Sequence, residues 1–497
     1  MRIAVVGGSL SGLLAATLLG RRGHEVIVLD RDDVAPAGDP EAAAATAFRA
    51  GAPQIVQLHV LRPLGRLPVR EHLPDVYAGW LDAGVVEHSL VQQMPPTLAD
   101  RSPRPGDDEL AMLLFRRSTI DWVIRRTVAA EPDVTVRSGV RVTGLTATAG
   151  DPPRVTGVTT DVGPVGADLV LDASGRRTRI DHWLRGIGAR PTEVTAAECG
   201  VSYYTRYYRL RPAATLPGPP ATVVNLPMRR FMLAMFGCDH DTVGLCLVPP
   251  AEDRAFKAVR DPAAFTAVAR TVPQAAAWLD VMDPETDVYP MGDLHNTLRR
   301  LVVDGTPVAS GILAVGDSLC TTNPTFARGI AFALQEVIHL AGAVGEYPVE
   351  ELTKVMDELT STRIEPWFAD QAAIDAARLA ALRRELRGTP AGPAGPAGPA
   401  GPAGPAESAE SAESEWAAGA VEGADGRVDL TSLRQAAGFD PELFRAHVRL
   451  LGMLTPAEEV LADPAVVRRV REILGSVGRP PLPDPSDDEL AAALAAG

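Results

Sequence analysis

Near the start of the chain, residues 5–12 read V-V-G-G-S-L-S-G, a spacing suited to holding a phosphate-bearing ligand. The run follows the G-x-G-x-x-G pattern of dinucleotide sites, with Ser9 where the middle glycine belongs. Gly7 allows the tight turn and Gly12 allows a helix to pack closely on its strand. The amides at the helix N-terminus, over Leu10 and Ser11, are then left to bind a pyrophosphate. Serine is the least costly replacement for the middle glycine, being small and able to donate its hydroxyl to a phosphate oxygen. Asp30 follows 18 residues after Gly12, at the end of a second apolar run and just before Arg31. A carboxylate there can accept hydrogen bonds from a ribose. The fingerprint alone leaves open which dinucleotide is bound.

Those residues require a strand–turn–helix–strand unit, and the flanks supply one. "IAVV" is short and wholly apolar, as a buried parallel strand is, "SGLLAATLLGRR" has helical pattern, and "EVIVLD" reads as the second strand. A second segment, "GILAVGDSLCTTNPTFARGIAFALQE" (311–336), places Gly316 and Asp317 after an apolar strand, then Pro324, then Gly329 opening a helix. An acid at a strand end can accept from a ribityl hydroxyl, and the helix N-terminus at Gly329 can face an electron-rich ring.

With these residues in place, the sequence resembles the flavoprotein monooxygenases of the p-hydroxybenzoate hydroxylase type, in a natural-product hydroxylase or epoxidase-like subgroup. The resemblance spans roughly residues 1–385. It implies FAD as cofactor, NADPH or NADH as reductant (on this chain or through a separate flavin reductase), and O2 with a small organic molecule as co-substrates. "FRRSTIDWVIRR" is similar to the family's helix whose arginine, here Arg117, reaches the FAD phosphates. "RSGVRVTGL" matches the strand that flanks the adenine near Val142. "FRAGAPQIVQLH" resembles the loop beside the isoalloxazine and points to Arg49, Ala52 and Pro53. The family's Asp-Gly turn departs here to "LDASG", with Asp172 followed by Ala173 and the glycine displaced to Gly175. The implied chemistry is oxygen transfer from a flavin C4a-hydroperoxide, giving hydroxylation or epoxidation in bacterial secondary metabolism. Rival readings are a flavin-dependent dehydrogenase or reductase, a halogenase, and a flavin-binding protein without turnover. The tryptophan-halogenase pattern W-x-W-x-I-P and its lysine are absent from the first 256 residues.

The implied fold is α/β: a Rossmann-type FAD-binding domain, glutathione-reductase-like in its βαβ unit, with an inserted antiparallel-sheet substrate domain and a C-terminal helical tail. The expected divisions are 1–190 and 291–388 for the FAD-binding parts and 191–290 for the substrate domain. A Gly-Pro-Ala and acidic linker is expected over 389–425 and helices over 426–497. The stretch from the second strand to about residue 80 reads as loop. In "SYYTRYYRL", strand alternation puts Tyr203 and Tyr207 on one face and Tyr204 and Tyr208 on the other, so the first pair is a candidate substrate wall. His59 and Arg49 are the candidate catalytic residues, His59 as a base toward a phenol. No metal-ligand spacing occurs.

Composition narrows the class. At 497 residues with net charge −15 the chain lacks the basic face that nucleic acid requires. Lys257 and Lys354 are the only lysines. Four cysteines without paired spacing read as reduced thiols of a cytoplasmic protein, and no run is long enough for a membrane span. Five Gly-Pro-Ala units over 392–406 precede an acid-rich stretch without basic residues, the composition of an extended, solvated linker. Deleting 392–415 is therefore expected to leave flavin content and turnover unchanged, as read from the visible spectrum and steady-state oxygen consumption.

Overall fold

The computed structural model describes residues 1–497 except 35–36, 96–97, 99, 218–222, 387–427 and 478–483. The Gly-Pro-Ala segment thus lies outside the described residues. Five strands form a parallel sheet ordered 312–314, 169–172, 2–6, 25–30 and 134–138. The central strand Arg2–Val6 is apolar from Ile3 onward and buried on both faces, the pattern of a doubly covered parallel sheet. Helix Leu10–Gly20 is buried along nearly all of its length, which explains its uniformly apolar sequence. It lies between the sheet and helix Gly329–Ala343, sharing one apolar core with both.

The second layer is antiparallel. Strands 223–227, 232–237, 242–248, 203–210 and 282–284 pair in that order, with 289–291 also on 203–210. Tyr204 and Tyr208 pack into the core beneath helices Pro262–Arg270 and Pro273–Leu279. Tyr203 and Tyr207 join clusters on the opposite face, as strand alternation requires. The chain does not run as one strand into Tyr203: it breaks at Cys199–Ser202, leaving Glu193–Glu198 in a different, three-stranded sheet.

One expectation is corrected. The stretch up to residue 80 is not loop-rich: helices span Pro40–Ala45, Pro63–His72 and Pro74–Asp82. Each begins on proline at its first position, where the missing N–H costs nothing. Pro68 inside the second, together with Gly65, hides the helical pattern.

Helices also occupy the C-terminal region, at Leu430–Ala437, Pro441–Leu451, Ala457–Ala462 and Pro464–Val477, and they share their own apolar cluster. Helix Asp487–Leu494 returns to the antiparallel sheet's side, where Leu490 and Ala493 are buried beside Phe265. No helix of the described residues is long and apolar enough to cross a membrane.

A buried ion pair couples the two layers. Asp239, in the turn after strand 232–237, is fully buried and accepts from Arg116 N (2.7 Å), Nε (3.0 Å), Nη2 (2.7 Å) and Thr119 Oγ1 (2.6 Å). Arg116 also pairs with the exposed Glu41 carboxylate, so removing Asp239 takes away its buried partner but leaves it one carboxylate. Asp239→Ala is therefore expected to cost less than the ~3–5 kcal/mol of a fully orphaned buried charge, to be read as a lowered denaturation midpoint followed by circular dichroism.

Candidate functional site

The phosphate end of the site is built at the sheet's carboxyl edge. Gly7 has φ +110°, and a Cβ there would run into the Ala173 carbonyl, so glycine is required by both conformation and space. Gly8, which motif reading passes over, sits so close to Asp30 that a Cβ would lie 2.6 Å from the carboxylate. Ser9 caps the helix at φ −102°, extended backbone that needs no glycine, so the substitution at the middle position is conformationally free. Its hydroxyl accepts from Arg117 Nη2 at 3.3 Å. No acidic residue occupies the helix's first turn.

Three guanidinium groups surround this turn. Arg117 is buried and holds Asp121 Oδ1 at 2.7 Å. Arg125 donates to the Gly8 carbonyl at 2.6 Å and lies 3.8 Å from Asp30. Arg49 donates to Asp30 Oδ2 at 2.5 Å and to Asp32 Oδ2 at 3.2 Å. The structure therefore pairs Arg49 with Asp30 and Asp32, where the sequence suggested a residue beside a flavin ring. Arg31 is exposed and pairs loosely with Asp32 at 3.8 Å. Ala52 and Pro53 open a short 3-10 turn, and Val142 begins the strand 142–148. Arg125 was missed although the quoted helix segment contains it; its position eight residues after Arg117 places both on one helical face.

The second motif meets the first directly. Gly316 has φ +61°, and a Cβ on it would fall 2.5 Å from Ser11 Oγ. Its amide donates to Glu336 Oε2 at 2.5 Å. Burial raises the pKa of Asp317, against the pull of Arg117 and Arg176. Asp317 Oδ1 lies 3.7 Å from a Cβ built on Gly329, so the carboxylate faces the start of helix Gly329–Ala343. Pro324 starts a 3-10 turn ending at Ala327, which is held at φ +50°. Asn323 caps that turn, and its Oδ1 also accepts from Tyr203 OH at 3.0 Å. Tyr207 OH donates to the Gln57 carbonyl at 2.8 Å. Both tyrosines are thus anchored through their hydroxyls, Tyr203 to Asn323 and Tyr207 to the Gln57 carbonyl, with their rings buried in the sheet's apolar clusters.

Asp172 is fully buried and receives Ser174 N at 3.0 Å, the Thr178 hydroxyl, and Ser318 Oγ at 3.4 Å. In the variant "DASG" turn this acid ties the strand ends to one another. His59 is bonded through Nδ1 to the Gln57 carbonyl at 2.9 Å. Burial, helped by the nearby positive charge of Arg117, lowers its pKa to about 4. Its neighbour Leu58 packs with the Tyr203 cluster, so alternation along the strand turns His59 toward Arg117 and Asp121, away from the tyrosines.

The described residues fit a dinucleotide. A glycine turn closes on a helix N-terminus without acid in its first turn, and Arg117, Arg125 and Arg49 gather around that turn. The chain matches the model of the NAD(P)-binding Rossmann-like domain over residues 5–39. It is 25% identical over 382 residues to Protein Rv3254 of Mycobacterium tuberculosis, covering 68% of this chain and 72% of that protein. Among solved structures it resembles pqsL, a probable FAD-dependent monooxygenase from Pseudomonas aeruginosa (TM-score 0.55, 16% identity, 78% of this chain and 99% of that one). It also resembles p-nitrophenol 4-monooxygenase PnpA from Pseudomonas putida (TM-score 0.51, 17% identity, 78% and 92%). A triple mutant of the flavin-dependent brominase Bmp2 matches similarly (TM-score 0.54, 16% identity, 78% and 91%). The architecture expected from the two motifs is therefore the one found: the chain has the fold of the FAD-dependent monooxygenases.

Glu336 was not a candidate, yet it lies beneath the Gly316 turn. It is fully buried, Oε1 has no hydrogen-bond partner among the described residues, and burial raises its pKa to about 8. The native carboxyl stays protonated where the unfolded one ionises, so stability falls as pH rises from the unfolded value of about 4.5 toward 8. Glu336→Gln is expected to raise the melting midpoint at pH 8, with the gain fading toward pH 4.5; thermal melts across that range check it.

Proposed function

We propose that this chain is an FAD-dependent monooxygenase that inserts one oxygen atom of O2 into an aromatic or alkene-bearing apolar molecule. The observation that carries the reading is the meeting of Gly316 with Ser11, which joins the two motifs into one site under a cluster of arginines. When bound, the flavin supplies the redox chemistry and the activation of dioxygen.

The protein's own residues have separable tasks. Ser9, Leu10, Ser11 and Gly12 offer amides and hydroxyls to the diphosphate, and Arg117 offers charge. Asp30, held in place by Arg49 and Arg125, accepts from the adenosine ribose. Asp317 accepts from the ribityl chain. The 324–327 turn and the first amides of the helix at Gly329 would hold the ring, and a positive helix terminus there would favour negative charge on it. Met232, Tyr203 and Tyr207 on the sheet, with Leu58 opposite, exclude water from the substrate side. His59 is oriented to the cofactor side and its neutral ring serves there as a hydrogen-bonding group rather than as the substrate's base. NADPH or NADH supplies the electrons, through this chain or a separate flavin reductase.

The deciding experiment is the visible spectrum of purified protein incubated with FAD and desalted, before and after anaerobic NADPH or NADH. A retained flavin band that bleaches supports the reading and puts reduction on this chain. A retained band that bleaches only with added flavin reductase assigns the reductant elsewhere. Loss of all flavin on desalting overturns it.

A further inference from the structure

Helix Glu365–Leu386 lies beyond both cofactor motifs, yet it supplies two carboxylates to the 323–328 segment. Asp375 is fully buried and accepts from Asn323 Nδ2 and Asn296 Nδ2, each at 2.8 Å. Arg378, one turn further on, lies 3.0 Å from Asp375 Oδ1 and donates to the Cys199 carbonyl. Asn323 N in turn donates to Asn296 Oδ1 at 2.7 Å. At the far end of the segment, Arg328 Nη2 holds Asp370 Oδ2 at 2.6 Å and its Nη1 reaches the Trp367 carbonyl. The Arg328 guanidinium also lies 5.1 Å from the centres of both the Phe326 and the Trp367 rings. Asp370 and Asp375 are separated by about 7.5 Å along a helix axis, so one rigid element grips both ends of one short turn.

The grip also has a polarity. An ionised carboxylate only accepts, so Asp375 faces each asparagine at its Nδ2. That leaves Asn323 Oδ1 on the other side, where it accepts from Tyr203 OH at 3.0 Å, Thr325 N at 3.1 Å and the Thr325 hydroxyl. Reversing the amide would set a carbonyl oxygen against a buried carboxylate. Burial raises the pKa of Asp375, against the pull of Arg378 and the asparagine amides. Between the buried anchors Asn323 and Arg328 the backbone bends through Ala327 at φ +50°, a conformation that costs alanine energy. Such a turn persists only where its surroundings over-determine it. Pro324 is exposed and Thr325, Phe326 and Ala327 are half-buried, so the turn is fixed at its ends and keeps an open face.

We propose that Asp375 is a positioning residue for the flavin ring, acting through Asn323 on the 323–327 turn and on the Tyr203 hydroxyl. Asp370 does the same from the other end, through Arg328. What lies on the turn rests on the flavoenzyme reading; the grip itself does not. Other residues, Ser9, Arg117 and Asp30 among them, serve the phosphate and ribose end, so Asp375 acts on one half of the cofactor only.

The test uses two ligands that share an adenosine diphosphate half, ADP and FAD, each titrated calorimetrically into the full-length protein stripped of any flavin. ADP reaches only the phosphate end, so the ratio of the two affinities isolates the contribution of the ring half. The native protein is expected to bind FAD more tightly than ADP. Asp375→Asn keeps the side chain's shape but lets it present a donor to Asn323. It is expected to lower the preference for FAD about tenfold, the range of a hydrogen bond to a charged group, with ADP affinity unchanged. Asp370→Asn is expected to act in the same direction and more weakly, since that carboxylate is partly exposed. An unchanged preference in Asp375→Asn overturns the proposal. So does a parallel loss of ADP and FAD, which marks a merely structural role. If Asp375→Asn does not fold, an unchanged preference in Asp370→Asn overturns it instead. Failure of the flavoenzyme reading shows separately, as native protein that binds no FAD, and takes the proposal with it.

Discussion

Everything in this molecule depends on backbone being able to approach backbone where three parallel strands end. The turn at Gly7 lies against the Ala173 carbonyl, and the turn at Gly316 lies against Ser11. Both glycines have positive φ, so side chains are excluded there by conformation as well as space. Segments three hundred residues apart are thereby locked into one edge, with Ile3 opposite Leu169 and Val170 opposite Ile312 in the sheet beneath. The antiparallel sheet is then tied to this edge by Arg116 and Asp239, Arg116 being adjacent in sequence to Arg117, which reaches Ser9. Two neighbouring arginines, Arg116 and Arg117, thus orient the two halves of the site toward each other.

What the sequence reveals follows from how local the governing physics is. The βαβ unit is legible because a buried parallel strand, a glycine turn and an apolar helix each leave a short-range signature. The strands 134–148 and 154–172 are legible for the same reason, being rich in β-branched residues. Helices 63–72 and 74–82 are not, since Pro63, Gly65, Pro68 and Pro74 all read as turn chemistry, although proline at a first helical position is a start signal. Glu336 leaves a trace that could have been used, a lone carboxylate among the apolar residues of helix Gly329–Ala343. Its partner, the Gly316 amide, is twenty residues away, and only the fold brings them together.

Asp172 and Arg49 show the other kind of gap. Both were singled out as ligands of a cofactor by motif, and both are engaged by protein groups: Asp172 by the Ser174 amide and the Thr178 and Ser318 hydroxyls, Arg49 by Asp30 and Asp32. A motif specifies residue type at a place; it does not specify which neighbour takes the hydrogen bond. Tyr203 and Tyr207 were legible as to face, because alternation is local, and illegible as to partner, because Asn323 and Gln57 arrive from other elements.

The distribution of charge gives the site a direction. At the phosphate end, Arg49, Arg117 and Arg125 crowd around one helix N-terminus, with Asp30, Asp32 and Asp121 compensating them. Toward the sheet, burial keeps the ionisable groups uncharged: the Tyr203 and Tyr207 hydroxyls and the Cys246 and Cys320 thiols are all raised well above neutrality. Glu336, between the two regions, is pushed the same way, and His59 and His447 are held neutral from the other side. A molecule with an anionic tail and an uncharged, flat head therefore has one favourable orientation along this gradient: charge pairs with charge at the arginines, and the head meets a wall that demands no desolvated ion.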